Sequence, residues 1–164
     1  MQAEVQHRTR LAVRADVLPA SVGLVMRTVT LVTGPPCAGK TTWVRAHAGP
    51  DDLVLDRDAI DHPHPEREFR RTVDRIARST TGAAWVIRSV PRRADREALA
   101  ARLRAGRVVL LLPDLDTLLD RAKLRPNPTR EISALRSWLS RYEPSPRDDV
   151  LTHWAVTFRP AMDW

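Results

Sequence analysis

Cysteine occurs once in the 164 residues, at Cys37, which excludes an internal disulfide framework and a cysteine-built zinc cage. Lysine occurs twice, at Lys40 and Lys123, so arginine supplies 25 of the 27 cations. Long apolar runs are also missing. The longest stretch, Val22 to Val32, is cut by Arg27 and is too short to span a bilayer. The first residues lack the apolar block and small-residue cleavage site of a secretory signal. Arg8, Arg10 and Arg14 are there, but Glu4, Asp16 and Pro19 spoil an amphipathic transit helix. The expected setting is cytoplasmic and reducing, with no membrane partner.

What the chain does have is the composition of a single folded domain, 43% hydrophobic and 29% charged. Its formal charge of +7 invites a nucleic-acid partner, because arginine-rich surfaces neutralise phosphates. A genome that favours arginine codons accounts for the same surplus, so charge leaves both readings open. No helix-turn-helix or zinc-finger spacing points to a sequence-reading DNA module.

Residues 1–25 show no clean period and precede Met26; they read as an N-terminal extension or an over-long start. From there strands and helices alternate. Arg27–Thr33, Asp52–Leu55, Ala84–Arg88 and Arg107–Leu112 read as strands, mostly apolar and β-branched. Thr41–Ala48, Pro65–Ser79, Ala94–Ala105, Leu115–Arg125 and Pro128–Tyr142 read as helices. Gly49-Pro50 and Gly106 are their stops, and Asn127-Pro128 is a cap and first-turn pair. Alternation at Val150, Thr152, Trp154, Val156 and Phe158 suggests a last, edge strand. Nearly continuous apolar strands imply a mostly parallel sheet of four to five strands, with helices on both faces in three layers. Ligands of such sheets bind at the strands' carboxyl ends.

Gly34-Pro35-Pro36-Cys37-Ala38-Gly39-Lys40-Thr41 fits the phosphate-loop pattern G-x-x-x-x-G-K-[ST], with a strand before it and a helix after. Backbone N–H groups around Gly34 and Gly39 and at the following helix N-terminus, through Thr42, would surround phosphate oxygens. Lys40 would bring a point charge to the β- and γ-phosphates of ATP, and the Thr41 hydroxyl would meet Mg²⁺. Cys37 occupies a variable loop position, so no thiol chemistry is expected of it.

One helix later, Asp56-Arg57-Asp58 puts two carboxylates at a strand end. Asp58 is the candidate base for an acceptor hydroxyl and Asp56 the metal-side acid; two solvated loop acids or a helix-capping pair is the plainer alternative. His62 and His64 straddle Pro63 without a third ligand at metal spacing, so they read as loop residues. The tryptophans Trp43, Trp85, Trp138, Trp154 and Trp164 read mostly as packing residues.

The loop followed by Asp56-x-Asp58 resembles the small P-loop kinases of the adenylate-kinase-like class, such as gluconate and shikimate kinases. Asp56 to Pro63 resembles the gluconate-kinase pattern D-G-D-x-x-H-P, while Arg57-Asp58 resembles the R-D-D stretch of 5′-polynucleotide kinases, with Ala59 replacing the second acid. Ser89 to Glu97 resembles the gluconate-kinase run S-A-L-K-x-x-Y-R-D, which implies Arg92, Arg93 or Arg96 near the acceptor. Tyr142-Glu143-Pro144 resembles the segment closing the lid helix of these kinases. Short phage-encoded P-loop ATPases look similar as well. The resemblance covers about residues 26–146 and implies a P-loop kinase-like domain over 26–164.

Such a kinase needs cations over the transferring group. Arg121, Lys123 and Arg125 lie where a lid would be, Arg121 and Arg125 sharing a helix face; a solvated face is the alternative. Arg88, on the third strand, needs a carboxylate or phosphate partner if buried. The expected activity is Mg²⁺-dependent transfer of the ATP γ-phosphoryl to a hydroxyl, either the 5′-OH of a polynucleotide or nucleoside or a small polyol. Alternatives are an ATP-hydrolysing switch acting on a partner and a binding module without turnover.

Overall fold

Strands that are apolar on both sides need cover above and below, and the chain supplies it with a helix after almost every strand. The computed structural model describes residues 27–79 and 81–154. Its elements are β1 (Thr28–Thr33), α1 (Lys40–His47), β2 (Leu53–Asp56), α2 (Pro65–Arg78), β3 (Ala83–Ile87), α3 (Arg93–Leu103), β4 (Arg107–Leu111), α4 (Leu115–Lys123), α5 (Pro128–Leu139) and β5 (Asp148–Leu151). The five strands form one sheet in the order β2-β3-β1-β4-β5, every neighbouring pair parallel. The α/β class and the parallel five-stranded sheet are as the sequence implies.

Strand alternation sorts the core into two halves. On one side Val29, Leu31, Leu55 and Val86 meet Phe69, Val73 and Ile76 of α2 and Leu103 of α3. On the other, Val32, Ile87, Val109 and Leu111 meet Trp43 and Val44 of α1, Leu118 of α4 and Leu135 of α5. Full burial of each such aliphatic or aromatic side chain contributes about 1.5–3 kcal/mol. Trp43 packs edge-on to Trp85, ring centroids 5.9 Å apart, in keeping with a core role.

Several boundaries differ from expectation. α4 ends at Lys123, and Arg125 follows in a turn whose N–H reaches the Ala122 carbonyl (3.1 Å). Arg121 and Arg125 therefore do not share a helix face. α3 stops not at Gly106 but at Arg104, which adopts the left-handed φ of 52°. The last strand is the largest difference. It begins at Asp148, where two adjacent acids hid it from a search for apolar alternation. Asp148 meets Arg96, and Asp149 meets Arg107 of the neighbouring strand. Residues 1–25, Met26, Val156, Phe158 and Trp164 lie outside the described residues.

Candidate active site

The carboxyl ends of β1, β2 and β3 open onto one edge of the sheet. β1 runs out at Thr33 and the chain turns at once into the 34–39 loop. Gly34 has φ +144°, and a Cβ there would collide with the Leu111 carbonyl oxygen, so only glycine fits between the ends of β1 and β4. Gly39 has φ +90° and is the N-cap of α1. Lacking a side chain, it leaves the first-turn N–H groups of that helix uncapped and pointing out of its positive end. Cys37 also takes a positive φ, 62°, and its thiol faces Glu131 Oε2 at 3.8 Å.

Lys40 folds back over this loop. Its Nζ donates to the carbonyl oxygens of Gly34 (3.0 Å) and Pro35 (2.8 Å). Burial of the ammonium pulls its pKa down from 10.5 to about 8, although the Asp58 and Asp56 carboxylates oppose the fall. Thr41 donates its hydroxyl to Asp56 Oδ2 at 2.7 Å, and Asp56 Oδ1 accepts the Asp58 N–H at 3.1 Å. Asp56 thus caps a short 3₁₀ turn, Arg57–Ala59, that carries Asp58 outward; the Asp58 side chain is 83% exposed. The capping role considered for this pair is present alongside its contact with the loop.

These residues share one cleft of about 470 Å³, lined by Lys40, Thr41, Asp56, Asp58, Arg125 and Glu131 among others. Pro36, Cys37, Gly39 and Thr42 border it as well. Ala38 lies beneath, fully buried. Arg121 sits on the far flank of the loop, its Nη1 donating to the Ala38 carbonyl at 3.0 Å. There its guanidinium lies 5.8 Å from the Trp154 ring, and the two residues border a second cleft of about 390 Å³ with Gly39, Thr42 and Leu124. Arg125 borders both clefts. Lys123 points elsewhere and pairs with Asp120 (2.9 Å).

The arginines expected at an acceptor are scattered. Arg96 is 1% exposed and bonds to both oxygens of Asp148 and to the carbonyls of Val90, Pro91 and Glu143. Every edge of that guanidinium is spent inside the protein. Arg93 pairs with Glu97 (2.8 Å) and its N–H with Glu143, while Arg92 is the exposed residue before α3. Arg88 immediately follows β3 and finds a carboxylate: Nη1 and Nη2 each lie 3.1 Å from an oxygen of Glu66, with the guanidinium over Phe69.

Glu66 went unnoticed in the sequence, where it reads as an ordinary acid in the first turn of a helix. In the fold it also accepts from Arg57 Nε (3.3 Å) and Arg70 Nε (3.2 Å). Partial burial works against its charged form, yet hydrogen bonds and charge from Arg88, with hydrogen bonds from Arg57 and Arg70, hold its carboxyl below the usual value. His62 and His64 hydrogen-bond to each other through a backbone N–H (2.9 Å) and are exposed. Among the described residues no three His, Cys, Asp or Glu side chains gather as a metal centre would require, and no helix is long and apolar enough to cross a membrane.

No family model matches the chain, and no curated protein matches it in sequence. Solved structures do. A sugar kinase from Janibacter sp. superposes with a TM-score of 0.60 at 18% identity, over 77% of this chain and 84% of that one. TT1252 from Thermus thermophilus gives a TM-score of 0.54 at 13% identity, over 79% and 90%. At such identities the likeness is one of fold: a parallel-sheet α/β architecture shared with a kinase.

Proposed function

We propose that the protein is a P-loop phosphotransferase that moves the γ-phosphoryl group of ATP to a hydroxyl acceptor. The observation that carries this reading is the convergence of Lys40, the Thr41–Asp56 pair and Asp58 on one cleft at the carboxyl edge of the sheet. The uncapped start of α1 and the Lys40 ammonium suit a chain of phosphates. An aliphatic hydroxyl beside a carboxylate is an all-oxygen donor set, which suits Mg²⁺. Thr41 and Asp56 would hold that ion, which when bound would neutralise charge on the β- and γ-phosphate oxygens.

Asp58, exposed and facing the same cleft, takes the proton of the acceptor hydroxyl as its oxygen bonds to the γ-phosphorus. The bond from that phosphorus to the β-phosphate oxygen breaks, and ADP leaves with the electron pair. Arg125, which lines both clefts, would balance charge on the moving group. Arg121 and Trp154 offer the nucleobase a cationic and an aromatic face on the other side of the loop.

The test is label transfer from γ-labelled ATP to 5′-hydroxyl oligonucleotides, nucleosides and polyols. Label should enter an acceptor and fall by roughly 10²–10⁴-fold in Asp58→Asn, as for the loss of a general base. Phosphate release that needs no acceptor would replace this reading with that of an ATPase.

A further inference from the structure

Helix α2 carries five arginines against three acids, and the arginines are sorted to one side of it. Its buried side is Phe69, Val73 and Ile76. At about 100° per residue, Arg67, Arg71, Arg75 and Arg78 fall within about 80° of arc on the opposite side. All four are exposed. Arg70 lies outside this row, turned toward Glu66, which its Nε meets at 3.2 Å.

The acids of α2 do little to neutralise the row. Asp74 gives both oxygens to Arg102 of α3, at 2.8 and 2.9 Å, and Glu66 is bonded to Arg57, Arg70 and Arg88. Glu68 stands 3.8 Å from Arg71 Nη1, beyond hydrogen-bond reach. Among the described residues, Arg67, Arg75 and Arg78 form no ion pair. Like charges four apart repel, so the row weakens the bare helix and is relieved by an anion laid along it.

The form of the row selects the anion. Arginines four apart rise by about 6 Å, and the whole row runs for about 16 Å. That step is close to the one between neighbouring phosphates on a nucleic-acid strand, so each guanidinium can meet its own phosphate. Among the described residues, the large exposed apolar side chains are Leu53, Val54, Leu115, Leu124 and Val150, none of them on α2. The row therefore lacks the apolar companion face that seats a basic helix in a lipid interface. The one aromatic of α2, Phe69, is 1% exposed and offers unpaired bases nothing to stack on. Cations on a convex helix face suit a duplex, whose bases stack on one another and whose phosphates stand outermost.

We infer that the outer face of α2, along Arg67, Arg71, Arg75 and Arg78, is a docking surface for duplex nucleic acid, held through its phosphates without reading sequence. The inference goes beyond the phosphotransferase reading and stands or falls separately from it, because docking needs neither nucleotide nor turnover.

The experiment is fluorescence anisotropy of a labelled 20-base-pair DNA duplex with the full chain, without nucleotide, from 50 to 200 mM salt. Four phosphate contacts should give a log–log slope of about −3.6. Arg75→Gln with Arg78→Gln should weaken binding at least fivefold and flatten the slope by about 1.8. Arg75→Lys with Arg78→Lys keeps the charges and should bind within twofold of the unaltered protein. Arg130→Gln with Arg136→Gln removes the same charge from exposed positions of α5 and should change neither affinity nor slope. Equal losses from α2 and α5 would make binding a matter of net charge and overturn the inference. Tighter binding to the single strand, or to phosphatidylserine vesicles, would overturn it as well.

Discussion

Arg96 Nη2 lies 2.6 Å from Asp148 Oδ2, with both side chains almost wholly out of solvent, 1% and 2% exposed. The pair ties the start of α3 to the first residue of β5. Removing one partner strands a buried charge, which costs about 3–5 kcal/mol. Arg96→Met should lower stability by that amount in urea denaturation, with nucleotide affinity of the folded fraction unchanged. Adding Asp148→Leu should recover only part of the loss, because the carbonyls of Val90, Pro91 and Glu143 still lack their donor.

The Lys40 ammonium titrates near pH 8 in the free fold and at 10.5 unfolded, so between those values the unfolded chain binds more protons. Stability should therefore rise with pH across that window, relative to Lys40→Met. Nucleotide binding has the opposite dependence, since bound phosphates favour the charged amine. Affinity for ATP should fall as pH climbs above about 8, by up to about tenfold per unit. Calorimetry in two buffers of different ionisation enthalpy should detect proton uptake on the alkaline side of the transition, and none in Lys40→Met.

Two glycines of the loop differ in what they tolerate. Gly34→Ala drives a methyl group into the Leu111 carbonyl, backbone against backbone, and should destabilise by at least about 3 kcal/mol. Gly39→Ala meets only the tip of Arg121 at 3.4 Å and the Trp154 ring at 3.7 Å, both ordinary contacts, so the left-handed backbone is the main penalty, about 1–2 kcal/mol. Chemical denaturation of the two variants should rank them in that order.

On the proposed function the nucleobase lies beside Trp154 and Arg121. Trp154→Ala should weaken ATP roughly 5- to 150-fold, the range expected for losing a base–aromatic stack. Inorganic triphosphate, which has no base, should bind the variant and the unaltered protein alike. Equal losses for both ligands would place Trp154 in support of the loop instead.

Features written in neighbouring residues were legible without coordinates. The strand, loop and helix around Gly34–Thr41 follow from local pattern, and the parallel sheet follows from apolar strands separated by helices. Pairings between distant residues were not. Arg96 and Asp148 are 52 positions apart, and Arg88 and Glu66 are 22 apart. In a chain with 25 arginines, nothing local separates one that closes the fold from one that faces a ligand. Asp148 and Asp149 misled for the same reason: two acids open a strand only because arginines already wait beside it.

The hold of Lys40 on the carbonyls of Gly34 and Pro35 has a consequence for ligand discrimination. The loop is closed on its own cation, so entry of any anion is an exchange in which two hydrogen bonds are surrendered first. A singly charged ion replaces them poorly, whereas a polyphosphate offers oxygens to the lysine and to the helix end together. On the proposed function the loop would therefore set a threshold on charge number, responding weakly to chloride or bicarbonate and strongly to ligands with several adjoining negative groups.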